Sequence, residues 1–458
     1  MPLNRRHFLM GAASAAFAAT KPAQTPNILL IVADDLASWM LGCYGNQEIH
    51  TPNIDTLARS GMRFINSFCC SPICSPSRAT LLTGRLPQQH GIEDFLTPQP
   101  IAHPPQGQAD APASFANEVM LSDILSARGY NCGHVGKWHM GHDEQPGHGL
   151  QYTYTMSGGS RSYRDPEMFL NGKSVQEQGY LTDLMTKRSC DFLDQQTANK
   201  PFFLTTAYLN PHTPYEGHPQ KYYDMYSKTI FDTFGWERAA PNALREKNML
   251  TDIVGNIRKC AASTTALDDQ IPVLLRKLRE RNLLDNTIVV FTGDNGYLLG
   301  RHGLWSKGLA SDPINMYEEV MGVPMLWSWP GHIPAEASRP DLISFYDFLP
   351  TICDITGSAL PAGRNLTGRS YAALAQNQPL PKKQPWKQTV FGHFRNTEMV
   401  RNTRYKLVLR NGGAGPNELW DMANDPREKT NQYENARFIT IRDQLHKELD
   451  GWKKRVAS

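Results

Sequence analysis

From Pro26 to Gly331, short runs of β-branched and aliphatic residues alternate with helical patterns, and this alternation constrains the chain more than any other feature. Strands and helices in that order build an α/β domain whose mostly parallel sheet is flanked by helices. Asn27 to Val32 reads as the first strand. A helix opens at Thr51, Pro52 and Asn53, with Thr51 as cap, Pro52 in the first turn, Ile54 and Leu57 inward and Gly61 as the stop. Further strands are expected at Asn131 to Gly136, Phe202 to Leu209, Thr287 to Phe291 and Val323 to Trp329. Leu267, Ile271, Leu274, Leu275 and Leu278 recur at helical spacing and form a core stripe.

A Pro/Gln-rich stretch from Thr97 to Ala113 resists regular structure and reads as an inserted surface loop. Composition shifts again between Pro361 and Gln388. Alternating runs then follow at Thr389 to His393, Glu398 to Val400, Tyr405 to Leu409 and Asn417 to Trp420. They predict a smaller C-terminal α+β subdomain over residues 361–458, carrying an antiparallel sheet and a last helix with Leu445 and Leu449. The main α/β domain is assigned to residues 24–360.

Hydrophobic side chains make up 40% of the chain and charged ones 20%, enough for a large core and too little charge for a disordered chain. The 47 Lys and Arg nearly cancel 44 Asp and Glu, so no broad basic field exists to hold nucleic acid. No apolar run is long enough to span a bilayer, so a soluble mature protein is expected. Asn4-Arg5-Arg6-His7-Phe8-Leu9 precedes an Ala-rich apolar run, and Ala16-Phe17-Ala18 supplies a small-residue cleavage pattern. Residues 1–20 therefore read as an export signal of the twin-arginine type, which implies the twin-arginine machinery as a partner and the bacterial periplasm as the destination.

Ligands of open α/β sheets bind beyond the carboxyl ends of the strands. Asp34 and Asp35 follow the first expected strand, Lys137 and His139 the next, then His212, then Asp294 and Asn295. Each alone has an ordinary explanation, such as a helix cap for the Asp pair, a turn for Asp294-Asn295-Gly296, or a surface position for Lys307. Their convergence on one sheet edge argues for a site. Asp34, Asp35, Asp294 and the Asn295 carbonyl form a hard all-oxygen set suited to calcium or magnesium, whereas zinc would want imidazole or thiolate.

The segment Cys74-Ser75-Pro76-Ser77-Arg78 leads to Leu82-Thr83-Gly84-Arg85. Ser75 as cap, Pro76 in the first helical position and Gly84 as stop put Cys74 at a helix N-terminus, where free N–H groups and Arg78 favour an anion. A buried structural cysteine, a thiolate nucleophile and half of a Cys70–Cys74 metal site are further readings.

These motifs resemble the signature of the type I, formylglycine-dependent sulfatases of the alkaline-phosphatase-like superfamily. The resemblance continues through Pro26-Asn27-Ile28, Thr51 to Asp55, Gly136-Lys137-Trp138-His139, His212-Thr213-Pro214, Gly293 to Gly296 and His302-Gly303-Leu304-Trp305 with Lys307. It implies an alkaline-phosphatase-like fold and formylglycine made from Cys74 by a separate maturation enzyme. It further implies calcium held by Asp34, Asp35, Asp294, Asn295 and the modified Cys74, and a sulfate pocket of Arg78, Lys137, His139, His212 and Lys307. The implied activity is hydrolysis of a sulfate ester on a small molecule or glycan. In that chemistry His212 is the candidate acid for the leaving group and His139 the candidate base for sulfate release. A formylglycine-dependent phosphonate or phosphodiester hydrolase and an unconverted sulfated-glycan binding protein are the alternatives. Arg301 and the loop from Glu144 to Lys173 depart from the pattern and bear on the leaving group. Tyr152, Tyr154 and Tyr163 in that loop fit either sugar stacking or packing.

Overall fold

The computed structural model describes residues 25–97, 111–159 and 162–457. The expected export signal and most of the Pro/Gln-rich loop lie outside the described residues.

Ten strands form one sheet: β1 (Asn27–Asp34), β2 (Met62–Phe68), β3 (Asn131–Gly136), β4 (Tyr152–Thr155), β5 (Glu167–Leu170), β6 (Lys173–Gln176), β7 (Phe202–Pro211), β8 (Thr287–Gly293), β9 (Met325–Ser328) and β10 (Ala337–Ser344). Their order is β10-β2-β9-β8-β1-β7-β3-β4-β5-β6, and only β5 and β9 run against the rest. The central strand explains the layering. Ile28, Leu30 and Val32 of β1 pack on one side with Ala79 and Leu82 of the Cys74 helix, while Leu29, Ile31 and Ala33 pack on the other with Ile257, Leu267 and Leu274. A strand covered by helices on both faces is apolar at every position, and each fully buried leucine there contributes about 2–3 kcal/mol.

The five strands expected in this sheet are present, but Val323 to Trp329 yields β9, which is antiparallel to both β8 and β2. Five others lie outside the sequence expectation. β2 and β10 mix polar and apolar residues, and β10 carries Pro340 at an irregular register with β2. The loop from Glu144 to Lys173 supplies β4, β5 and the start of β6, extending one edge of the sheet.

A second sheet, a meander of β11 (Thr389–Phe394), β12 (Thr397–Asn402), β13 (Tyr405–Arg410) and β14 (Glu418–Asp421), is antiparallel throughout. The last helix, Ile439–Ala457, lays Leu445, Leu449 and Trp452 on one face of it, with Trp452 stacked on Phe391 at 4.9 Å. Its opposite face faces the main core, where Val390, Phe394, Met399 and Val408 are buried. His393 N–H donates to Cys70 O at 2.9 Å, tying β11 to the turn just before the Cys74 helix.

Candidate active site

The carboxyl ends of β1, β8, β3 and β7 lie side by side, and register brings their polar residues together. Ala33 is paired with Gly293 and Asp34 with Pro211, so Asp34, Asp35, Asp294, Asn295 and His212 leave the sheet at one level. Lys137 follows at the end of β3, where its N–H donates to Ala207 O at 2.9 Å. That close approach requires Gly136, with φ +107°, because a Cβ there would lie 2.0 Å from Ala207 O.

Opposite the strand ends stands the helix Cys74–Thr83. It begins two residues before the position expected from Pro76, with Ile73 as the flanking residue, so Ser75 is not the cap. The Ser75 Oγ accepts from Leu96 N at 3.0 Å instead. Thr51 does flank its helix, but its hydroxyl accepts from Gly42 N rather than from the first turn. Cys74 is therefore at a helix N-terminus as expected, and Gly84 closes that helix in the left-handed conformation with φ 68°.

The site is a balanced set of buried charges. Lys137 Nζ donates to Asp34 Oδ2 at 2.6 Å, Arg78 Nε to Asp294 Oδ2 at 2.8 Å, and Lys307 to Asp35 Oδ1. Arg78 also donates to Lys137 O at 2.7 Å, which locks the two cations in place. Burial by itself would raise the Asp34 carboxyl, but Lys137 and His212 outweigh it and hold it below the usual range. Burial likewise opposes Asp35, where Lys307 and His212 prevail. Against its own burial, Lys307 is kept well above its ordinary value by Asp35 and Cys74. Three carboxylates thus face three cations.

Cys74 Sγ sits in the middle, 2.8 Å from Lys307 Nζ and 3.5 Å from Asp34 Oδ1. Burial pushes its thiol up to about 12 despite Lys137 and Lys307, so the side chain as it stands is not a thiolate nucleophile. Ligand atoms of Asp34, Asp35, Cys74 and Asp294 all lie within 4.8 Å of one another; among the described residues Cys70 belongs to no such group. Asn295 Nδ2 donates to Asp35 Oδ1 at 2.7 Å, while its Oδ1 is buried with no hydrogen-bond partner among the described residues. An orphaned oxygen beside three carboxylates is the donor set that calcium or magnesium takes.

The two histidines differ. His139 Nε2 donates to Leu96 O at 2.9 Å, which leaves Nδ1 as the bare nitrogen, without a partner among the described residues. Burial, with Lys137 beside it, drives this ring well below its ordinary pKa, so it is neutral. His212 Nδ1 donates to Thr213 O at 2.5 Å and turns Nε2 towards Asp35 Oδ2, 3.7 Å away. Sequence reasoning missed the groups that hold these rings. Asp143 accepts from His139 N at 2.9 Å and Gly158 N at 2.7 Å, and Tyr163 donates its hydroxyl to His212 O at 3.0 Å. Tyr163 and Tyr154 are fully buried, so packing is the correct reading for them rather than sugar stacking.

Beside Cys74 opens a cleft of about 700 Å³, lined by Asp35, His139, His212 and Lys307 together with Phe95, Leu96, Arg245 and Met249.

A family model described as Sulfatase matches residues 26–358. The chain belongs to the sulfatase family. A second model, the C-terminal region of N-sulphoglucosamine sulphohydrolase, matches residues 300–455 of this sulfatase. The chain is 25% identical to an N-acetylglucosamine-6-O-sulfatase of Bacteroides thetaiotaomicron, over 96% of this chain and 88% of the relative. It is 31% identical to human arylsulfatase A, over 77% and 68%. A solved structure in complex with its substrate D-glucosamine-2-N,6-O-disulfate shares the fold, with a TM-score of 0.79 at 23% identity, covering 94% of this chain and 98% of that one. The sulfatase is thus a sulfuric ester hydrolase of alkaline-phosphatase-like fold.

Proposed function

We propose that this sulfatase removes sulfate from a sulfated saccharide by way of formylglycine made from Cys74, with calcium bound by Asp34, Asp35, Asp294 and Asn295. The observation that carries the reading is the position of Cys74 Sγ in the cleft lining, protonated, between Lys307 and Asp34. The sulfur marks where the oxygens of the modified residue stand. Relatives named as N-acetylglucosamine-6-O-sulfatase and N-acetylgalactosamine-6-sulfatase support a sugar as the leaving group.

Once converted and hydrated, residue 74 supplies a geminal diol, one hydroxyl to attack sulfur and one to let sulfate depart. Calcium in this oxygen set supplies Lewis acidity to the sulfuryl oxygens. The protein's own groups do the rest. Lys137, Lys307 and Arg78 hold fixed positive charge around the sulfuryl oxygens in a buried setting, where it needs no reorganisation. His212, whose Nε2 faces Asp35, is the group that gives a proton to the departing sugar oxygen. His139 Nδ1, bare and neutral, takes the proton of the second hydroxyl. With three carboxylates offset by three cations, a divalent ion leaves the pocket with the charge that a sulfate product cancels. Export to the bacterial periplasm by the twin-arginine machinery, read from Arg5 and Arg6, belongs to the same proposal.

Peptide mass analysis of Cys74 from protein made with a formylglycine-generating enzyme tests this: a residue lighter than cysteine and reactive with hydrazides is expected. Turnover of 4-nitrophenyl sulfate should require that conversion and exceed turnover of bis-4-nitrophenyl phosphate. Unmodified Cys74 in fully active enzyme, or faster phosphodiester cleavage, would overturn it.

A further inference from the structure

Of the lysines and arginines lining the cleft, Lys307 is spent on Asp35 and Cys74, and Arg245 is the other. Arg245 is half-buried, its guanidinium stacked 4.4 Å over the ring of Phe95, and among the described residues it makes no ion pair or hydrogen bond. The acids around it are engaged elsewhere. Asp94 feels the Arg245 charge, but its Oδ2 is bound by Arg395 Nε at 2.6 Å. Glu246 accepts from Tyr297 OH at 2.5 Å and from Thr213 Oγ1 at 3.1 Å, and Glu216 pairs with Lys259 at 3.2 Å. The Glu246 bonds also pin the backbone on which Arg245 stands. A planar cation braced on an aromatic ring, facing a cleft and lacking a carboxylate, is built to receive an oxyanion.

We infer that Arg245 reads a second oxyanion, a carboxylate or another sulfate, on the leaving-group side of the saccharide. The inference rests on the sulfatase reading, since it supposes that the ester under attack lies beside Cys74. Phe95, Leu96 and Met249 line the same cleft and offer an apolar wall for the sugar ring. The substrate class is thereby narrowed from any sulfated sugar to polyanionic saccharides.

Binding to the Cys74→Ala variant, which cannot turn over, separates this from catalysis. Calorimetry would compare N-acetylglucosamine 6-sulfate with glucosamine-2-N,6-O-disulfate and with a 6-sulfated disaccharide ending in glucuronate. The second anion should tighten binding by about tenfold or more. Adding Arg245→Ala should erase that ratio, Arg245→Lys should restore part of it, and the two dianionic probes show which oxyanion is preferred. Circular dichroism checks that each variant folds. A two-anion probe that binds no tighter than the one-anion probe overturns the inference, as does an Arg245→Ala loss equal on all probes. Failure of the wild-type enzyme to cleave 4-nitrophenyl sulfate would instead sink the sulfatase reading, and the binding ratio would still decide Arg245.

Discussion

Asp294 is the buried carboxylate at which the proposed chemistry and the stability of the fold meet. It is fully buried, pairs with Arg78 and accepts the Asp35 N–H at 3.1 Å. Asp294→Asn keeps the volume and loses the charge, so the Arg78 guanidinium keeps only its longer 3.8 Å pair with Asp34. Turnover of an aryl sulfate is expected to fall by about 100-fold or more. Urea unfolding should register a loss of about 3 kcal/mol, the cost of breaking a buried pair. Wild-type turnover would remove Asp294 from the site. The residues of this centre were legible in the sequence because each stands at a strand end or in a short motif. Asp143, Tyr163 and Leu96 were not, because they act through a backbone atom or a hydroxyl that any fold might use otherwise. Arg245 was equally silent: nothing in its sequence neighbourhood tells that Phe95 lies beneath it.

Strands and helices differ in how openly they announce themselves. β1, β7 and β8 are buried on both faces, so their apolar runs could be read directly. β9 has the same composition, and its direction depends on where β2 and β8 sit, which no local pattern encodes. The short β4, β5 and β6 lie at an edge where polar residues are tolerated, so alternation fades. The Cys74 helix starts two residues early because the turn of chain before it, rather than the Ser75 hydroxyl, sets its first turn. The junction after β3 offers a sharper test. Gly136→Ala would drive a Cβ into Ala207 O and prise β3 from β7, displacing Lys137 from Asp34. Loss of activity together with more than about 2 kcal/mol of stability is expected, against about 0.5 kcal/mol for an ordinary surface change. A variant with native stability would show that β7 can yield.

Across the whole molecule, ion pairs join the two sheets. Glu318 binds Arg401 at 2.9 Å and Lys406 at 3.3 Å, reaching from the segment before β9 to β12 and β13. Next to it, burial would raise Glu319, but His302 and Arg301 pull it from 4.5 down to about 2. A carboxyl depressed on folding stabilises fully above its unfolded value and loses that contribution as pH falls towards the folded one. Unfolding free energy should therefore drop by up to about 3 kcal/mol from this group between pH 5 and 2, and Glu319→Gln should flatten that part of the profile. An unchanged acid limb would show that Glu319 is not held by its neighbours. Metal removal acts on the same scale. A chelator should abolish turnover and lower Tm, and calcium or magnesium should restore both, since binding only the folded state adds to stability. Full activity in chelator would refute the metal assignment.

Cys74 is 3% exposed, and Lys307, its nearest cation, lies 233 residues later in the chain. On the conversion of Cys74 proposed above, a maturation enzyme must reach it while the strands and loops that cover it are still unmade. At about 5–20 residues per second, a ribosome takes on the order of 10–50 s to travel from one to the other. Burial thus sets a deadline, and a chain that folds before it is met carries its cysteine for life.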